Sequence, residues 1–303
     1  METEFAYQNI LNASQPINWR IEDIIGGDKR LDFSKPFMPE ALAQVDELEF
    51  LSLREKRILN QIRGHEYLAM FGLVEEFIFP FAMESARQQL SGGDCRSRAL
   101  LEFAAGEEKH IHLFKRLRYE FLEGFDSPCE FVCGAEDTKK FVRSHSSLGI
   151  AFAILHMEWT TWRHYIESVR DNQDLDRPFQ SLLAHHWLEE SQHCQIDTLL
   201  VEEMAACSTS KETDLAFDDY NEIVAFIDDG IQQQAEFNVV AFEQASRSKL
   251  LTNDYEQMFN TVLKAMRWTY LGSGMTHPNF LATVEKIKPA ARAQIEAMAP
   301  SFC

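Results

Sequence analysis

Apolar residues recur along this chain at intervals of three and four, and no stretch of useful length alternates apolar with polar. That spacing is the signature of helices with one buried face. It predicts helices at about 39–48, 51–89, 95–122, 136–143, 146–171, 176–206, 214–246 and 252–272, and a last one from about 277 to 297. Residues 1–40 carry Gly26-Gly27, Pro36 and Pro39 and read as irregular. Loop compositions mark breaks at Ser91-Gly92-Gly93-Asp94, Gly124–Pro128, Asp171–Asp176 and Cys207–Thr213. The fold class is therefore all-α. Four of the helices, 51–89, 95–122, 146–171 and 176–206, are long enough for a four-helix bundle, with additional helices at both ends. No linker separates domains. A single helical domain over 1–303 is expected, with a core at about 51–206 and extra helices at about 214–297.

Composition narrows the function. Only 13 glycines and 9 prolines among 303 residues favour long helices over a turn-rich fold. A net charge of −19 repels phosphate backbones, which argues against a nucleic-acid partner. The start, METEFAYQNI, has no apolar signal-peptide core. The longest apolar run, near Gly149–Met157, is too short for a membrane span. Six cysteines without a CxxC pair look like reduced thiols, so a cytoplasmic location is expected. Cys129 and Cys133 have the spacing of half a zinc site, but no partner pair follows.

The chemistry is concentrated in two stretches. LLEFAAGEEKHIHLF places Glu107 three residues before His110, and LAHHWLEESQHCQID places Glu190 three residues before His193. On a helix that spacing puts both side chains on one face. Each E-x-x-H lies in a long helix, and each preceding helix offers a carboxylate 32 residues earlier: Glu75 before Glu107, and Glu158 before Glu190. The chain thus looks like two copies of one helix-hairpin device. Glu76 competes with Glu75. Taking Glu66 and Glu84 as residues of the wet face, each nine positions from Glu75, the wheel puts Glu75 inward, at about 180° from them. The same test sets Glu167 opposite Glu158. Buried carboxylates among Leu, Phe and Trp are costly unless paired or bound to metal. Two divalent ions would neutralise four of them, and imidazole with carboxylate suits iron or manganese. Glu108 and His112 are possible replacements for Glu107 and His110.

These residues resemble the ferritin-like diiron-carboxylate superfamily, over the 119 residues from Glu75 to His193. Within it, His186, Glu190 and His193 form one stripe, H-x-x-x-E-x-x-H, that resembles the p-aminobenzoate N-oxygenase family, whose dinuclear site has a third histidine. GSGMTHPNF, residues 272–280, also looks like that group. The ligands this resemblance implies are Glu75, Glu107, His110, Glu158, His186, Glu190 and His193. His185 and His186 could instead be supporting or surface residues. Glu189 or Asp197, each four residues from His193, could hold that ring by a hydrogen bond. Other relatives fit less well. Ferritins need little beyond the four helices, and rubrerythrins bring paired cysteines. The ribonucleotide reductase small subunit wants a tyrosine where Phe114 stands.

The resemblance implies an O2-activating centre of two iron ions, with Fe/Mn as an alternative. It would oxidise the amine nitrogen of a small organic substrate. No flavin or nicotinamide fingerprint is visible, so electrons would come from a separate reductase or ferredoxin. A homodimer is also expected. Acyl-carrier-protein desaturases share both E-x-x-H motifs, so a hydroxylase or desaturase acting on a C–H bond is one alternative. A non-catalytic protein that stores iron or scavenges O2 is another. Trp159, Trp162 and Tyr165 could line a substrate pocket or relay electrons, and Thr161 could bond to bound oxygen. The two helices at 214–246 and 252–272 could cover a cavity. His164 falls off the ligand face, and His277 reads as a helix-start residue.

Overall fold

The computed structural model describes residues 2–89, 94–132 and 134–303. The break expected at Ser91–Gly93 and the thiol of Cys133 lie outside them. The described residues are helical nearly throughout and contain no strand, only an isolated bridge between Gly26 and Lys29. In chain order come α1 (Glu2–Ser14), the single turns α2 (Ile21–Ile24) and α3 (Glu40–Ala43), then α4 (Leu53–Gln89), α5 (Cys95–Gly124), α6 (Ala135–Val142), α7 (Ser147–His164) and α8 (Arg177–Ala206). They are followed by α9 (Ser210–Ser246), α10 (Thr252–Arg267), the single turn α11 (Ser273–Met275), α12 (Pro278–Ile287) and α13 (Pro289–Met298).

Capping sets where the bundle helices begin. Asp94 accepts from the Ser97 amide at 2.9 Å, Ser146 from Gly149 at 3.3 Å, and Asp176 from Phe179 at 2.8 Å. Each bond satisfies a donor that a helix start leaves without a partner. At α9, Thr209 and Glu212 form a reciprocal capping box, which starts that helix at Ser210 rather than at 214. Pro80 sits inside α4, where it has no N–H to offer the Glu76 carbonyl. α7 runs on into a π-turn at Tyr165–Val169, and α10 into another at Trp268–Gly272.

Helices α4 and α5 pack along one another, as do α7 and α8, and α5 meets α8 across the bundle. The joining loops are short, so each pair is antiparallel. α9 covers α4 and α7, and α10 lies on α9. The buried apolar residues form one continuous cluster from Tyr7 to Ala299.

Several expectations are corrected. Residues 2–14, expected to be irregular, form α1. Tyr7, Ile10 and Leu11, spaced three and four apart, are buried where α1 packs on α5 and α8. Two turns of pattern were too little to read as a helix. The helix expected at 39–48 is two short turns, interrupted at Gln44, whose φ is 51°. The helix expected at 277–297 breaks at Lys288, where φ is −151° and ψ 90°, because the residue before Pro289 is driven out of the helical region. No helix among the described residues is long and apolar enough to cross a membrane.

Candidate metal centre

Four helices converge on one buried polar cluster. α4 contributes Glu75, α5 Glu107 and His110, α7 Glu158, and α8 His186, Glu190 and His193. Each of these residues is at most 4% exposed. Two overlapping groups have ligand-type atoms within 4.8 Å of one another. One is Glu75, His110, His186 and Glu190; the other is Glu107, His110, Glu190 and His193. His110 and Glu190 belong to both, so the cluster can hold two metal ions side by side.

The distances give the cluster its direction. His186 Nε2 lies 3.0 Å from Glu75 Oε1 and 3.2 Å from Glu190 Oε1. His193 Nδ1 lies 2.7 Å from Glu107 Oε1 and 3.2 Å from Glu190 Oε1. His110 Nδ1 is 3.2 Å from the same Glu190 oxygen and 3.9 Å from Glu75 Oε2. Three imidazole nitrogens therefore point at Glu190. Glu158 reaches the cluster through a carboxyl–carboxyl hydrogen bond with Glu190 and stands outside the two tight groups. The Thr161 hydroxyl lies 2.9 Å from the Glu158 carbonyl and 3.4 Å from Glu190 Oε2.

Buried polar atoms nearly always find a partner. Here both carboxylate oxygens of Glu107, Glu158 Oε2, Glu190 Oε1, His110 Nδ1 and His193 Nδ1 make no well-formed hydrogen bond. These are the atoms turned toward one another. An acceptor-rich set of this kind is what divalent cations complete. The pattern also matches the bundle-core arrangement in which two helices give a Glu each and two give an E-x-x-H. The charges carry the same message. Burial, and then the Glu75 carboxylate, push the Glu107 carboxyl well up. Burial, and then Glu190, do the same to Glu158. Burial also opposes the charge on Glu190, yet His186, the Glu158 carboxyl and His193 hold it well below the usual range.

Around the centre, sequence reasoning was partly right about supports. Glu189 holds His110, not His193: its Oε2 lies 2.9 Å from His110 Nε2, and Lys109 pairs with its other oxygen. Trp19, which the sequence reading missed, stacks on His110 with ring centres 6.2 Å apart, and the Lys109 ammonium sits 3.9 Å over the indole. Asp197 is buried with Oδ2 unpartnered, on the same stripe of α8 as His186, Glu190 and His193.

The alternatives sort by burial. Glu76 points out to Lys115 at 2.6 Å and Lys139 at 2.8 Å. Glu108 and His112 pair with each other at 3.5 Å in solvent. His185 bonds to the Ser181 carbonyl at 2.7 Å and stays outside the cluster. His164 is buried between Tyr67 and Ser273, each 3.2 Å away. His277 caps α12 and stacks on Trp159 with centres 4.6 Å apart; Trp162 stands edge-on to the same ring. Tyr165 stacks on Trp187 at 4.7 Å. These three aromatics are thus engaged in packing away from the ligand atoms. The wet-face assignment of Glu84 agrees with its exposure, but Glu66 is fully buried against Arg63, Tyr270 and Asn238.

No family model and no curated protein matches the chain. Among solved structures it is similar to variants of an R2-like ligand-binding oxidase. One, with an anaerobically reconstituted Mn/Fe cofactor, is 13% identical at a TM-score of 0.43, over 89% of this chain and 92% of the other. Another, with an aerobically reconstituted Fe/Fe cofactor, is 14% identical at a TM-score of 0.45, over 89% and 92%. A likeness this distant adds nothing to the functional argument, which rests on the geometry of the cluster.

Proposed function

We propose that this chain is an O2-dependent dinuclear iron oxygenase of the ferritin-like diiron class. In this reading it acts in the manner of the p-aminobenzoate N-oxygenases, inserting oxygen at the amine nitrogen of a small organic substrate. The observation that carries the proposal is the set of buried, mutually facing and unpartnered ligand atoms drawn from four helices. Glu75 and His186 would hold one ion, Glu107 and His193 the other. Glu190 is common to both groups, His110 would give its one free nitrogen, Nδ1, to a single ion, and Glu158 would complete the set.

When bound, iron would supply redox chemistry and coordination for O2, which carboxylate and imidazole side chains cannot provide alone. The reaction balances as R–NH2 + O2 + 2 e− + 2 H+ giving R–NHOH + H2O, with the electrons from an external reductase or ferredoxin. The chain's own residues prepare the site. Glu189 accepts from His110 Nε2–H, which fixes the proton there and leaves Nδ1 as the ligating nitrogen. His193 is likewise turned so that Nδ1 faces Glu107 and Glu190. The bundle keeps the ligands dry, which strengthens every charge interaction within it. Manganese at one position would need no change of ligand type. The five described cysteines are all free, which suits a reducing, cytoplasmic setting.

The test is O2 consumption by the iron-loaded protein with a chemical reductant and aniline, followed by mass spectrometry of the amine. The expected product carries one added oxygen. O2 consumed with ferric iron retained and no oxidised amine, from aniline or from benzylamine, would instead mark an iron-storing or O2-scavenging protein.

A further inference from the structure

A cavity of about 490 Å³ lies between α1, α5 and α8, within the size range of small-molecule sites. Its inner end is formed by Gly106 and the His193 ring, so it stops one side chain short of the ligand cluster. The contact there is close by construction: a Cβ on Gly106 would fall 2.9 Å from His193 Nε2. Ile10, Leu11, Ile17, Trp19, Phe103 and Ile196 make its apolar wall.

The polar part of the lining is selective. Glu102 and Glu189 face one cation, Lys109. That lysine is already engaged by Glu189 and by the face of Trp19. Glu102 accepts from Ser14 and Arg98, both at 3.0 Å. Both carboxylates are thus paired, Glu189 with Lys109 and Glu102 with Arg98, and no cation of the lining is left free to receive an anion. The Gln192 side chain also lines the cavity, and its Oε1 has no hydrogen-bond partner within the protein.

We infer that this cavity is the substrate-binding site of the proposed oxygenase, and that it takes a neutral or cationic amine with an apolar, ring-bearing body rather than an anionic aminobenzoate. The inference rests on the N-oxygenase reading for the fate of the amine, but binding itself can be tested without turnover. The Gln192 amide is the group that meets the substrate's polar end.

The experiment is equilibrium dialysis of the full chain, loaded anaerobically with Fe(II), against aniline, benzylamine and 4-aminobenzoate, with iron measured in the same samples. Aniline and benzylamine are expected to bind at least about tenfold more tightly than 4-aminobenzoate, a difference of about 1.4 kcal/mol. Ala105 is an exposed residue of the lining, so Ala105→Trp fills the cavity from the surface at little cost to folding. It should weaken amine binding at least about tenfold and leave the iron content unchanged. Gln192→Leu should weaken it by about two- to tenfold, the worth of one neutral hydrogen bond. Tighter binding of 4-aminobenzoate, or unchanged affinity in Ala105→Trp, would overturn the assignment. Amine binding by an unaltered chain that retains no iron after loading would instead sink the oxygenase reading and leave the cavity in place.

Discussion

Two clusters of ionisable side chains are buried in this bundle, and they solve the same problem in opposite ways. Near one end of α4, Arg63 and Glu66 form an ion pair with no exposure of either side chain. Tyr270 donates to Glu66, and Asn238 Nδ2 lies 3.1 Å from it. Arg63 Nη2 also reaches the Leu42 carbonyl at 3.3 Å. The charges cancel and both Glu66 oxygens are satisfied by protein. Further along the same helix, the cluster at Glu75 has carboxylates in excess, three imidazoles aimed at one glutamate, and oxygen and nitrogen atoms left unpartnered. Equal burial with unequal satisfaction separates a structural network from a site made to be completed by something else. Folding leaves only Arg63 Nε without a partner in the first cluster, whereas the second keeps six such atoms grouped where cations could sit.

Breaking each cluster should therefore give a different signature. The largest effect is expected for Glu190→Ala, which removes the carboxylate common to both ligand groups. Iron per chain should fall from two to one or none, measured by elemental analysis after desalting. Arg63→Leu should leave iron stoichiometry alone and instead lower folding stability by about 3–5 kcal/mol in urea melts, because Glu66 is left buried and uncompensated. Pairing it with Glu66→Leu should restore much of that loss. Retained stability in Arg63→Leu would show that the ion pair is not the element holding this end together.

Smaller effects sharpen the contrast. Iron binding to the folded chain alone would mean that free Fe(II) at 100 times its dissociation constant stabilises the protein by about 2.7 kcal/mol for each ion held. The gain should be the same in Arg63→Leu and should fall to half or less in Glu190→Ala. On the self-sufficient side, His65 is buried and accepts from Arg118 Nε at 3.3 Å; burial, and then Arg118, lower its pKa from 6.5 to about 3. A histidine depressed in the folded state binds its proton more readily when unfolded. Its contribution is thus complete above pH 6.5 and is lost as the pH falls from there toward about 3. Metal-free protein should lose about 2 kcal/mol between pH 7 and pH 5 through this residue, and His65→Gln should flatten that slope. An unchanged slope would mean that His65 is reached by solvent. Least of all, Glu108→Ala should change stability by less than about 1 kcal/mol and leave iron binding intact, since its pair with His112 is exposed.

What could be read in the sequence follows from how local each feature is. The E-x-x-H motifs depend only on helical spacing, and the equal 32-residue offsets to Glu75 and Glu158 depend only on hairpins of equal length. Both were visible in one dimension. Glu75 does point inward and Glu76 outward, as the wheel expected, although half its premise failed. Glu66 was taken as a wet-face residue because its partners, Asn238 and Tyr270, lie 172 and 204 residues away. Which histidine Glu189 serves depends on the register of α8 against α5, and no pattern within α8 encodes that. Trp19 follows α1, whose two turns of periodicity were too short to stand out. Its role beside His110 exists only once α1 has docked.

The most direct test of the account is metal stoichiometry. The full chain would be loaded anaerobically with excess Fe(II), desalted, and its iron counted against protein. Two irons per chain are expected, with one or none in Glu190→Ala. One iron or fewer in the unaltered chain would contradict the dinuclear centre, and the unpartnered atoms around Glu190 would then need another explanation.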